Sequence, residues 1–193
     1  MNREIVIEEA ILDDPDALGY PDALAIRHCR IGQPSGLVDI VLLPRVGHVD
    51  LVLVEAKATA APDAASKVIG QLLMYYAGAL SFGQDGLALL RRFAEGQSEE
   101  ARSRKKISPK KLTNGLTPVT SAWKVLQGGP PLSPERIQLY VAFDQEPHDA
   151  FLDVVRVLRE RHALRIEYCV VQQNGLVSRG VRADSDVHLD GSA

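Results

Sequence analysis

The chain has 193 residues, 46% of them hydrophobic and 24% charged, a composition of soluble globular proteins rather than of fibrous or membrane chains. Its formal net charge of −3 excludes a protein that coats nucleic acid through bulk electrostatics, so any nucleic-acid site must be local. This length suits a single domain with a sizeable core, expected over residues 1–180, with a disordered polar tail at 181–193.

The acidic start, MNREIVIEEAILDD, lacks the basic, apolar and small-residue succession of a secretory signal, and no apolar run nears the ~20 residues that span a bilayer. A cytoplasmic protein with no membrane contact is the expectation. Cys29 and Cys169 stand singly in strand-like stretches, with no CxxC and no paired histidine spacing, and so read as buried, reduced thiols rather than zinc ligands.

Residues 2–12 read as a helix ended by Asp13-Asp14-Pro15. Three strands follow, from Leu24 to Ile31, Gly36 to Leu43 and Val49 to Ala58, the last two joined by the turn-like PRVGH. From Asp63 to Phe82, the apolar residues Val68, Ile69, Leu72, Leu73, Tyr76, Ala79 and Leu80 recur at helical spacing. Residues 84–134 read as a surface insertion holding a second helix near Leu87 to Ala94 and a basic run. Within Arg91 to Lys111, eight basic residues face three acidic ones, a local charge of +5 that includes Arg104, Lys105 and Lys106. That run is either a phosphate-backbone patch or a solvated surface. A strand from Ile137 to Phe143, a helix from His148 to His162 and a strand from Leu164 to Gln172 complete the pattern. The fold class is α/β, a mixed sheet with helices against it: the tight link pairs its strands antiparallel, whereas helix-linked strands run parallel.

Chemistry concentrates in the third strand. LVLVEAK alternates with period two, so Glu55 and Lys57 share a face of a strand that is otherwise apolar. Asp39 interrupts the second strand, GLVDIVLL, in the same way. If PRVGH is a five-residue loop, Leu43 faces Val49, Asp39 faces Leu53, and Glu55 lies diagonally across from Asp39, ~7–8 Å away at the backbone. Two carboxylates so placed repel unless a cation lies between them, and hard oxygen ligands suit Mg2+ or Mn2+. Lys57 is then positioned to neutralise charge on a phosphate; a structural ion pair is the competing reading. On the next helix Lys67, Gln71 and Tyr75 recur every four residues, either flanking this site, with Lys67 and Tyr75 toward nucleic acid, or forming the wet side of the helix. Glu4 and Glu8 share a face of the first helix beside Glu9, and could add a carboxylate or serve only the helix dipole.

Asp39, Glu55-Ala56-Lys57 and Gln71-Leu72-Leu73-Met74-Tyr75 together resemble the D…ExK…QxxxY arrangement of the PD-(D/E)xK nuclease superfamily, in particular its RecB-like members. Residues 3–80 resemble more narrowly the catalytic domain of NucS-like endonucleases, with Gly36-Leu37-Val38-Asp39 matching the aspartate strand. The resemblance implies a restriction-endonuclease-like αβββαβ core. It further implies metal binding by Asp39, Glu55 and the Ala56 carbonyl, phosphate or water chemistry by Lys57, support from Gln71, and a helical glutamate best matched by Glu4, with Glu8 in reserve. Ala56 departs from the middle residue of the family's ELK-like strand, these 193 residues hold no match to the family's DNA-binding domain, and residues 84–193 match the family weakly.

The expectation is therefore a metal-dependent DNA endonuclease of repair, restriction or defence against mobile elements, with DNA as partner and a homodimer as an open option. The alternative is a non-cleaving module of the same fold that binds DNA or a protein. Nucleotide-dependent enzymes lack support, since no GxxxxGK[ST], GxGxxG or HExxH occurs. His28, His48, His148, His162 and His188 show no ligand spacing and read as solvated or core residues.

Overall fold

Two seven-residue runs, LVLVEAK and IQLYVAF, are apolar on both faces for most of their length, which calls for neighbours on both edges and cover on both sides. The computed structural model, which describes residues 3–31, 37–59, 64–104, 132–172, 175 and 177–179, places them side by side in a six-stranded sheet. In chain order the elements are α1 (Arg3–Asp13), a 3-10 turn (Pro15–Leu18), β1 (Leu24–Arg30), β2 (Leu37–Leu43), β3 (Leu51–Lys57), α2 (Ala64–Arg104), a second 3-10 turn (Pro134–Arg136), β4 (Ile137–Phe143), α3 (Asp149–His162), β5 (Ile166–Val171) and β6 (Val177–Arg179).

Strand order follows chain order, β1-β2-β3-β4-β5-β6. β1, β2 and β3 pair antiparallel as a meander, β3, β4 and β5 pair parallel, and β6 returns antiparallel to β5. Each parallel step carries a helix between its strands, as a crossover requires, α2 before β4 and α3 before β5. The sheet is covered on both faces. One face packs Val41, Leu43, Leu51, Leu53, Leu139 and Val141 against Val68, Leu72, Tyr75 and Ala79 of α2 and Phe151 of α3. The other packs Ile40, Leu42, Val52, Val54, Tyr140 and Ala142 against Ile7 and Ile11 of α1 and Leu18 of the first turn. Burying one large apolar side chain contributes ~2–3 kcal/mol, so the fully buried β4 is a main source of stability. The rings of Phe143 and Phe151 meet edge to face at 5.1 Å, fastening β4 to α3.

Local chemistry sets the ends. Pro15 follows α1 and opens the 3-10 turn, where its missing N–H costs nothing. His148 precedes α3 as its cap, Nδ1 accepting from the Ala150 N–H at 3.1 Å, and Ala163 closes the helix in the left-handed region.

Two expectations need correction, and one strand is additional. The stretch 84–94 is not a surface insertion: the non-helical Gly83 (φ 74°, ψ 170°) divides α2 into the two helical segments expected, but Leu87, Leu90 and Ala94 of the second segment enter the core at helical spacing. The link between β2 and β3 is not a five-residue loop, because Ile40 pairs with Val54 and Leu42 with Val52, which sets Leu43 opposite Leu51 and leaves residues 44–50 as the connection. β6 was unexpected, three residues being too few to show a period. Residues 105–131, which include the last four basic residues of the run, Lys105, Lys106, Lys110 and Lys111, lie outside the described residues, as does the polar tail at 181–193. No helix among the described residues is long and apolar enough to cross a membrane.

Candidate metal centre

The sheet loses its regularity where β1, β2 and β3 meet the N-terminal half of α1. Arg27 pairs with Ile40 and Cys29 with Val38, so His28 and Asp39 face each other between these rungs without forming one. His28 has φ 52°, in the left-handed region that non-glycine residues seldom occupy. The alternation slips there. Ile26 and Cys29 reach the same core face, as do Val41 and Val38, leaving His28 and Asp39 out of the regular in-and-out pattern.

On its other side β2 parts from β3 after the Ile40–Val54 pair. Asp39 fills the gap, its Oδ2 accepting the Ala56 N–H at 2.8 Å where a strand carbonyl would otherwise serve. The true register shifts β3 by two residues from the expected one. With a side-chain period of two the faces are unchanged, but continuing the ladder puts Glu55 opposite Asp39 rather than diagonal to it.

Glu55 is 1% exposed, and both of its oxygens are engaged. Lys57 Nζ stands 2.8 Å from Oε1, on the shared face that period two predicts. The Tyr75 hydroxyl lies 2.8 Å from both Oε2 and the Leu37 carbonyl oxygen, its single proton divided between two acceptors, and Gln71 donates to that same hydroxyl. Gln71 therefore reaches the site through Tyr75.

The first helix contributes its glutamates at two points. Glu8, 5% exposed, takes the Arg27 guanidinium on Oε2, and the same oxygen lies 3.1 Å from His28 Nε2. One ligand atom each from Glu8, His28 and Asp39 can be chosen so that all three lie within 4.8 Å of one another. Glu4, the residue preferred by the resemblance, instead lies 3.8 Å from Lys57 Nζ and is half-buried. Glu8 is the helical carboxylate beside Asp39. The sequence carried the signal, since Glu8 sits on the buried stripe between Ile7 and Ile11.

These charges interact strongly. Burial, then the neighbouring negative charge of Glu55, push the Asp39 carboxyl up to about 7, against the Ala56 N–H and Lys57, which hold it down. Burial alone draws the Lys57 ammonium downward, but the hydrogen bond and charge of Glu55, with Glu4 and Asp39, raise it above its ordinary value. The Tyr75 phenol is raised, first by burial and then by Glu55, so it remains a donor.

Of the residues expected to meet nucleic acid, Lys67 and Tyr75 are described with their side chains. Lys67 is exposed on α2. Tyr75 is 2% exposed, so its ring is not available to stack on a base; its place is under Glu55. Arg104 ends α2, while Lys105 and Lys106 lie outside the described residues. Arg91 leaves the basic run for the fold, reaching the Pro44 carbonyl oxygen and Asp50, which Arg136 also clasps at 2.6 and 2.9 Å. His28 is the residue sequence reasoning missed, because its neighbours come from a paired strand and a distant helix, not from spacing.

Asp144, just past β4, is a further unanticipated neighbour. Its Oδ1 accepts from the Thr59 N–H and hydroxyl, two residues beyond Lys57, and its Oδ2 pairs with Arg3 of α1. It ties the end of β3 to the start of α1. Burial opposes its charge, but these bonds prevail and hold its carboxyl below the ordinary value.

The chain is thus an α/β protein whose six-stranded mixed sheet is flanked by helices and carries a buried acidic cluster where β2 and β3 diverge. Comparison with family models, curated proteins and solved structures returned no match. Its function is therefore argued from the cluster's own chemistry.

Proposed function

We propose that this protein is a divalent-metal-dependent DNA endonuclease with a restriction-endonuclease-like core, acting in a cytoplasmic setting where Cys29 and Cys169 stay reduced. One observation carries the reading: the half-buried Asp39 stands opposite the buried Glu55 where β2 and β3 part, with Lys57 Nζ 2.8 Å from Glu55 at the half-open edge of the site. Carboxylates set side by side away from water are costly for stability and suited to holding a cation.

Asp39 and Glu55 would hold Mg2+ or Mn2+, which when bound polarises a phosphate and acidifies a water. The remaining work falls to the chain. Lys57 neutralises charge gathering on the scissile phosphate, Tyr75 and Gln71 fix the Glu55 carboxylate, and Asp144 anchors the end of the strand that carries Lys57. In the reaction a water oxygen bonds to phosphorus, one ester P–O bond breaks, and the departing oxygen takes up a proton.

The test is a cleavage panel of single-stranded, duplex, branched and mismatched DNA with Mg2+ or Mn2+, repeated with Glu55→Ala and Lys57→Ala. Cleavage of at least one substrate, lost in both variants, is the expected result; cleavage unchanged in both removes the assignment. The closure of both Glu55 oxygens by Lys57 and Tyr75 favours a second reading, a non-cleaving DNA- or protein-binding module. DNA binding with no divalent-cation uptake by calorimetry would select it.

A further inference from the structure

Three acidic side chains meet at this site, and two of them have a cation of their own. Glu8 is paired with Arg27 and Glu55 with Lys57. Asp39 has neither: among the described residues its hydrogen bond is the one from the Ala56 N–H, a neutral donor. The charge deficit therefore sits on Asp39. The side chain facing it across the β1–β2 pair is His28, which the left-handed backbone at φ 52° turns out of the regular alternation. His28 also reaches Glu8, with Nε2 at 3.1 Å from Oε2, and its side chain remains 40% exposed, open to an entering ion.

We propose that Glu8, His28 and Asp39 form a mixed oxygen–nitrogen cation site in which the imidazole of His28 is a direct ligand and gives the centre a preference for Mn2+, Co2+ or Zn2+ over Mg2+. The proposal rests on the reading of this cluster as a metal centre, and adds to it a ligand that the Asp39–Glu55 pair lacks. The physical argument is one of donor type. Carboxylate oxygens alone serve Mg2+ well, whereas a neutral imidazole nitrogen binds the later divalent ions more strongly, in the order Mn2+ below Co2+. Three protein ligands whose donor atoms fall within 4.8 Å of one another leave positions for water or a phosphate oxygen, as a catalytic centre needs. The anchor positions suit this role: two ligands come from adjacent strands and the third from a helix pinned against the same sheet, so the set is fixed by the fold rather than by a loop. Arg27 has a defined part as well. By holding Glu8 Oε2 it orients that carboxylate and offsets its charge, so that with Lys57 on Glu55 the remaining negative charge, which a divalent ion would meet, is that of Asp39.

The experiment uses the whole chain and the metal alone. Purified protein stripped with chelator is titrated with Co2+ and followed by its visible absorbance, and Mg2+ affinity is measured separately by calorimetry. His28→Asn is the informative variant, because asparagine tolerates the left-handed backbone that position 28 requires. Loss of a direct ligand should weaken Co2+ at least about tenfold, as even outer-shell changes commonly do, while Mg2+ affinity changes far less. Asp39→Asn, which removes the central ligand, should lose both ions. A thermal melt of each metal-free variant separates a lost ligand from a lost fold. Equal Co2+ affinity in His28→Asn and the parent overturns the proposal, as does an equal loss of Co2+ and Mg2+, since either outcome leaves His28 as a mere partner of Glu8. The nuclease reading fails differently: Co2+ bound through His28 with no cleavage of any DNA would leave the site standing and remove the activity.

Discussion

The repulsion stored at Asp39 predicts that a substitution in the centre of the site will stabilise the metal-free protein. Asp39→Asn keeps the shape and the acceptor for the Ala56 N–H, but removes the charge that burial and Glu55 disfavour. The folded carboxyl titrates at about 7 against an ordinary 3.8. Because the folded value is raised, the folded chain binds more protons than the unfolded one in that interval, so stability falls as pH rises from 3.8 to 7 and is level above. At 1.36 kcal/mol per pH unit the full interval corresponds to ~4 kcal/mol, and screening by the solvent that reaches this partly exposed carboxylate brings it to ~2 kcal/mol. A chain of this size gains roughly 2–4 °C per kcal/mol, so Asp39→Asn should melt about 4–8 °C higher than the parent at pH 8 in EDTA. At pH 5 less than half of the interval has been crossed, and the gain should be about two to three times smaller. Paired thermal melts at the two pH values measure it. A variant less stable than the parent at pH 8, or a gain equal at both pH values, would refute the charge argument; added Mn2+ should stabilise the parent and leave the variant unmoved.

Other outcomes follow from the same contacts. Lys57→Ala strips Glu55 of its cation and should cost ~3 kcal/mol in urea unfolding, since an interior charge is left unpaired. The raised Lys57 pKa implies that this contribution is complete below the ordinary lysine value and is lost as pH climbs through the higher folded one, so the difference between parent and variant should shrink in strong alkali. Tyr75→Phe removes the hydroxyl shared by Glu55 and the Leu37 carbonyl and should cost ~1–3 kcal/mol, measured the same way; a neutral result would show that neither acceptor depends on it. Asp144→Ala frees Thr59 and Arg3 and should speed hydrogen exchange at the Thr59 amide while leaving the interior amides of β4 protected.

Much of this arrangement is legible in the sequence. Period-two apolar runs placed β1 to β5, and the charges that break those runs marked Asp39, Glu55 and Lys57. What stayed hidden has physical causes. Register depended on the length of a connection whose Pro, Gly and His suggested a tight turn, while Val49 and Asp50 belong to it as well. Tyr75 shares a spacing of four with Lys67 and Gln71, yet Val68, Leu72, Tyr75 and Ala79 form one stripe at spacings of four, three and four, and that stripe is the buried one. Gly83 does end the first helical segment of α2, but the apolar residues of the second, Leu87, Leu90 and Ala94, are too few to announce that it packs into the core. His28 could not be found by spacing at all: its neighbours are set by strand pairing and by a backbone angle that the sequence does not announce.

The single bond from the Ala56 N–H to Asp39 joins the sheet's hydrogen-bond ladder to the charge of the site. An ion that takes Oδ2 must compete with that amide, whereas one that takes only Oδ1 leaves it bound. The nuclear magnetic resonance signal of one backbone proton, at Ala56, therefore distinguishes these two ways of occupying the centre, and does so in a chain with no DNA present.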